Sequence, residues 1–167
     1  MQYFPAASWP TSLKAISALG AVVLLGSGFG VWMAIPPYGF EHVLVSWAAC
    51  LPPAIGVVAA LFMVTGYEVD SHKLYIRRLL WATPIDLEGL VRVGHDPDAT
   101  KGSVRLFGNG GMFAFTGLYQ NERLGRYRLF ATDAKRSVTL VLPKRMVVVT
   151  PADPHAFVQH LQSLFPH

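Results

Sequence analysis

Charge is what the first 66 residues lack: Lys14 and Glu41 are the only Asp, Glu, Lys or Arg there, whereas residues 67–167 hold the other 22. Over all 167 residues, 14% are charged and 52% hydrophobic, against roughly 25% charged in an ordinary soluble domain. A uniformly soluble chain is thereby excluded, and so is a uniformly membrane-embedded one. High apolar content with a formal net charge of +4 also excludes disorder. Cysteine is scarce too. Cys50 stands alone, so no disulfide framework exists, and an exported domain of this size would more often carry pairs. The sequence contains no Gly-x-Ser-x-Gly, no Cys-x-x-Cys and no His-Glu-x-x-His, which removes the commonest nucleophile, redox and zinc signatures. The length allows one ordinary domain and a small membrane part.

The charge-free half holds two long apolar runs, 21 residues from Ala15 to Ile35 and 22 from Val43 to Val64. About 20 such residues, rising 1.5 Å each, cross the hydrocarbon core. Residues 1–66 therefore read as an N-terminal tail and a hairpin of two transmembrane helices, over about 13–35 and 43–65, joined by Pro36-Pro37-Tyr38-Gly39-Phe40-Glu41-His42. Tyr3, Phe4, Trp9, Trp32, Tyr38, Phe40 and Tyr67 fall where an interfacial aromatic belt belongs. A cleaved signal peptide is the competing reading of the first run, but the run is too long and no small-x-small site follows it. Ser46-Trp47-Ala48-Ala49-Cys50 is a poor lipoprotein site, lying inside the second run. Lys14 before the hairpin, with Lys73, Arg77 and Arg78 after it and no Lys or Arg in the turn, predicts that both termini face the cytoplasm.

Within the first span, Gly26, Gly30 and Ala34 recur every four residues and form a small-residue face that lets backbones approach closely. The face could pack inside the hairpin or against another membrane protein. Pro52-Pro53 falls inside the second span and predicts a kink. Transport through the spans is not expected, because they hold only Ser, Thr and Cys as polar groups. His42 reads as a solvated turn residue.

From Tyr67 the pattern changes to short β-type runs, with turn residues about every ten positions. Asp153-Pro154 then supplies an N-cap and a first helical proline, and Phe157, Leu161, Leu164 and Phe165 follow at helical spacing. An antiparallel sandwich or partly open barrel with one closing helix is predicted.

These residues resemble a known family. The resemblance rests on Tyr67-x-Val69-x3-Lys73-Leu74-x-Ile76-Arg77, Ile85-x-Leu87 and the glycine-rich Arg105-x-Phe107-Gly108-x-Gly110-Gly111-x-Phe113-x-Phe115-x-Gly117. Leu124-Gly125-x-Tyr127, Val147-Val148-Val149-x-Pro151 and Asp153-Pro154-x-x-Phe157-x-x-x-Leu161 complete it. Together they are similar to a bacterial pleckstrin-homology-like (PH-like) domain of the membrane-anchored subgroup with two N-terminal transmembrane helices. The resemblance, over roughly residues 67–165, implies a seven-stranded split antiparallel β-barrel capped by a C-terminal α-helix; with the orientation read from the basic residues, the domain of residues 67–167 is expected on the cytoplasmic side of a bacterial inner membrane. The fold is a binding scaffold with many clients, so the resemblance implies little about activity and leaves the client open; the missing catalytic motifs point away from an enzyme.

No catalytic set, cofactor site or metal site emerges from the residues. Gly108-Asn109-Gly110-Gly111 lacks the Lys-Ser/Thr of a phosphate loop and runs into a strand, so a turn or bulge with positive φ is the expectation. His95-Asp96-Pro97-Asp98 resembles half a calcium loop but has Phe107 where a bidentate Glu belongs. His155 and His160 are five apart, off one helical face. Lys73, Arg77, Arg78, Arg126 and Arg128 are the candidate basic surface, tethered close to an anionic leaflet. Head-group binders of this fold use a basic pair in the first hairpin, which Lys73 and Arg77 match in part. Nucleic acid is not an expected partner, since exposed aromatics do not alternate with the basic residues.

Two functions follow. One is a membrane-anchored scaffold or accessory subunit that binds an integral membrane protein, as part of a larger complex. The other is a domain that binds anionic lipid head groups.

Overall fold

A computed structural model describes residues 1–34 and 39–165. Ile35 at the end of the first predicted span, and Pro36, Pro37 and Tyr38 of the turn, lie outside the described residues. Two apolar helices come first, α1 (Thr11–Met33) and α2 (Phe40–Leu61), each long and apolar enough to cross a membrane. A buried core helix would pass the same test of length and composition. These helices differ, because Leu19, Val22, Leu25, Phe29, Trp47, Leu51 and Ile55 are all more than half exposed. The positions between the helices are small. Gly28 and Ala49 are buried, and a Cβ on Gly28 would stand 2.9 Å from the Ala49 carbonyl oxygen and from Pro53 Cδ. The helix continues through Pro52 and Pro53.

The β-domain follows as β2 (Gly66–Val69), β3 (Lys73–Arg77), β4 (Ala82–Asp86), β5 (Arg92–His95), β6 (Val104–Met112), β7 (Ala114–Asn121), β8 (Gly125–Ala131), β9 (Val138–Leu142) and β10 (Arg145–Val149), closed by α3 (Pro154–Leu164). One further strand, β1 (Gln2–Pro5), comes from the tail and pairs antiparallel with β2. The strands form two sheets, in the orders β1-β2-β3-β4 and β5-β9-β10-β8-β7-β6, which are not closed into a barrel; an open pair of sheets with a closing helix is compatible with the split barrel expected from the sequence. Pro5 is tolerated because β1 is an edge strand.

The core lies between the sheets and α3. Leu74, Ile76, Ile85, Leu140, Val147, Phe157 and Leu161 are fully or almost fully buried there. Asp153 caps α3, accepting hydrogen bonds from the His155 and Ala156 N–H groups at 3.1 and 3.0 Å. Phe4 of β1 enters this core and meets Phe157 edge-on with ring centroids 5.0 Å apart. This corrects its assignment to the interfacial belt, and that of Tyr67, which is fully buried in the same core: β1 turns Phe4 inward and leaves its neighbour Tyr3 half exposed.

Because β1 precedes α1 and β2 follows α2, the hairpin leaves and re-enters the domain at one end. Buried polar groups hold that junction. The Tyr67 hydroxyl donates to the Phe130 carbonyl at 2.7 Å and accepts from the Thr150 N–H at 3.0 Å. Thr132 Oγ1 donates to the Ala7 carbonyl at 2.7 Å, and the Ala7 N–H donates to the Thr150 carbonyl at 2.8 Å. Burial pushes the Tyr67 phenol up to about 12, the hydrogen bonds from Thr150 opposing the shift only in part.

Candidate functional site

Where the end of α2 meets the second sheet, a crevice of about 770 Å³ opens. Strand alternation builds its floor. On β8, Arg128 and Phe130 share one face; β7 places Leu118 opposite Arg128 and Thr116 opposite Phe130; β6 places Phe107 opposite Leu118 and Asn109 opposite Thr116. Gly108 and Gly117 face each other in the middle row, at φ +115° and +144°. A Cβ on either would collide with the opposite strand's backbone, so this ribbon closes up only because both are glycine. The bulge predicted for the glycine-rich segment is present, with register shifts at Arg105/Phe107 and Gly110/Met112. The roof is α2, through Ile55, Val58, Ala59 and Phe62.

Arg78 closes one end. One residue past the end of β3, it continues the inward phase of Leu74 and Ile76, and it is 9% exposed. Its Nη1 donates to the Phe62 carbonyl at the C-cap of α2, and its Nε to Thr83 Oγ1 at 3.2 Å. The cation sits over the rings of Phe62 and Phe130, at 5.2 and 5.6 Å from the centroids. Arg78 therefore caps the second apolar helix and ties it to the domain. Burial lowers its pKa from the usual arginine value. The ion pairs among the described residues are Arg77–Glu68, Arg123–Asp96 and Arg136–Asp133. Arg78 and Arg128 have no carboxylate partner among them, and no Asp or Glu lines the crevice.

The other predicted basic residues are dispersed. Lys73 and Arg77 lie on the outer face of β3, with Arg77 3.6 Å from Glu68. Arg126 lies two residues before Arg128 on β8 and reaches Gln120 Oε1 at 3.5 Å. Arg78 and Arg128 alone of the five line the crevice. Sequence reasoning missed the apolar half of the site; the only signal for Arg78 was its phase with Leu74 and Ile76.

Apolar side chains flank the crevice. Leu79, Leu80 and Trp81 are 51%, 74% and 38% exposed in the β3–β4 turn directly after Arg78. Trp81 meets Phe62 edge-on at 5.1 Å. On β6, Phe107 is 80% exposed. The tip of the β6–β7 hairpin also runs along α1, where Ser17 Oγ accepts from the Phe113 N–H at 2.8 Å and the Met112 thioether lies over Gly20.

On the hairpin, the predicted stripe separates into two kinds of position. Gly28 faces α2, whereas a Cβ on Gly26 or Gly30 would meet nothing within 4 Å among the described residues, and Ala34 is exposed. Two residues along an α-helix turn the face by about 200°, which is why Gly28 lies opposite.

Elsewhere the chemistry stays plain. Asp96 takes Arg123 at 2.8 Å and accepts from the Asp98 N–H, which makes a closed turn. His155 lies against His95 with ring centroids 5.1 Å apart, and His160 against Phe4. Among the described residues no group of three His, Cys, Asp or Glu could hold a metal ion.

Compared with protein families, residues 65–165 match the Bacterial PH domain. No curated protein and no solved structure matches the chain.

Proposed function

The chain belongs to the bacterial PH domain family, and from that premise we propose that it is a non-enzymatic, membrane-anchored scaffold or accessory subunit that binds and stabilises an integral membrane protein. Its place is the bacterial inner membrane, with both termini and the domain on the cytoplasmic side. One observation carries the reading: Gly26 and Gly30 face open space while Gly28 makes the contact inside the hairpin. A small-residue face that its own hairpin leaves uncovered suits close approach by a helix of another protein. The β1–β2 pairing and the Arg78 cap add to it, since a domain joined firmly to its anchor can hold a partner at a fixed height.

The test is purification of tagged full-length protein in mild detergent, beside Gly30→Leu. A Cβ at position 30 would meet nothing within 4 Å among the described residues, so the variant should fold as the parent does. The reading expects an integral membrane protein in one-to-one ratio with the parent and about tenfold less with Gly30→Leu. Recovery of both proteins alone contradicts it.

A second reading, a PH-like domain that binds anionic lipid head groups at the membrane surface, is favoured by Arg78 and Arg128, two guanidinium groups without carboxylate partners among the described residues beside an apolar crevice.

A further inference from the structure

We propose that the crevice between α2 and strands β6–β8 holds one anionic phospholipid, its phosphate on Arg128 and Arg78 and an acyl chain against Ile55, Val58, Phe62 and Leu118. The proposal rests on the second reading above and gives it a site, away from the first-hairpin pair Lys73 and Arg77.

Three observations point to this occupant. The first is charge. Two arginines border the crevice and no carboxylate lines it. Arg78 is nearly buried, and its hydrogen bonds to the Phe62 carbonyl and Thr83 Oγ1 use two of five N–H donors. A guanidinium in an apolar wall is stabilised by an anion that takes the remaining donors. The second is the lining. Ile55, Val58, Ala59, Phe62, Phe107, Leu118 and Phe130 outnumber the polar groups, so the ligand must be long and apolar as well as anionic. A free phosphate would leave that surface uncovered. The third is position. Ile55 to Phe62 are the last two turns of an apolar helix, about 10 Å of its length at 1.5 Å per residue. Leu79, Leu80 and Trp81, directly after Arg78, and Phe107, which lines the crevice, are exposed apolar side chains suited to an interfacial belt. At that depth a lipid enters sideways from the leaflet, tails along α2 and phosphate at the arginines.

The test uses full-length protein, delipidated in detergent and titrated with palmitoyl-oleoyl phosphatidylglycerol or the matching phosphatidylcholine, bound lipid being counted by native mass spectrometry. The parent should hold one phosphatidylglycerol at least about tenfold more tightly than phosphatidylcholine. Arg128→Ala should lose that preference by about tenfold, the size of one charge-assisted contact. Because the Arg128 side chain is exposed and makes no hydrogen bond among the described residues, folding is not at stake. Ala59→Trp, which fills the apolar part and leaves both arginines, should weaken both lipids. Lys73→Ala/Arg77→Ala should change neither by more than about twofold. If the double variant loses the preference and Arg128→Ala keeps it, head groups bind the open surface and the crevice assignment is wrong. If the parent does not discriminate the two lipids, both fall. If Arg128→Ala instead sheds a bound polypeptide with lipid retention unchanged, the crevice is a protein-docking site and the proposal is overturned.

Discussion

The hairpin and the β-domain are built from similar apolar residues turned in opposite directions. In the domain the large side chains, Tyr67, Leu74, Ile76, Leu140 and Phe157, are inside. Along the hairpin the large ones, Leu25, Phe29, Trp47 and Leu51, are outside and small Gly28 and Ala49 meet inside, while Leu13, in the first turn of α1, is buried. The difference follows from the solvent. Water drives large apolar groups together in proportion to the area they bury. Hydrocarbon supplies no such drive, so helices in it associate by close approach at small residues. A small-residue position facing outward in such a hairpin, as Gly26 and Gly30 do, is therefore more informative than an exposed leucine.

The largest effects should separate the two regions most clearly. Phe157→Ala empties a fully buried site touching Phe4 and Tyr67 and should cost about 3–5 kcal/mol in chemical unfolding. Phe29→Ala, at a position 61% exposed on α1, should stay within about 0.5 kcal/mol. Equal losses would break the comparison. Next comes Gly28→Leu, which forces a side chain against the Ala49 carbonyl and Pro53; a loss of about 1–3 kcal/mol is expected in thermal unfolding of the detergent-solubilised protein. Gly30→Leu should leave that transition where it is.

A smaller effect probes the junction. Tyr67→Phe leaves the Thr150 N–H without its acceptor and should cost about 1–2 kcal/mol. It should also change the alkaline limb. The folded phenol titrates near 12, above its ordinary 10.0, so its contribution is complete below pH 10.0 and is lost as pH rises towards 12. Unfolding midpoints followed from pH 9 to 12 should fall more steeply for the parent than for Tyr67→Phe; parallel curves would remove Tyr67 from the account. The smallest effect is Lys73→Ala on the outer face of β3, expected within about 0.5 kcal/mol by the same unfolding assay.

The hairpin was legible because a charge void of that length has few other readings. Its ends were less so. The second apolar run continues through Met63 and Val64, but α2 stops at Leu61, and Val64, 2% exposed, already belongs to the domain core. One unbroken run thus serves two solvents, and hydropathy does not mark the change. The α3 cap at Asp153 and the glycine bulge were legible from local chemistry, since each depends on backbone needs that few residues meet. β1 was not, for Gln2–Pro5 is too short to show alternation and is defined by its partner β2. The crevice was least legible of all. Ile55, Arg78, Phe107 and Arg128 come from four separate stretches of the chain, and nothing local to any of them announces the other three.

The central claim is that the outward face of α1 holds a membrane partner. Site-specific photocrosslinking in native membranes tests it most directly, with a benzophenone side chain at position 30 and, as reference, at Trp47, which is 73% exposed on α2. The account predicts one discrete crosslinked polypeptide from position 30 and none from position 47. Crosslinks to lipid alone from position 30, or the same polypeptide from both positions, would contradict it.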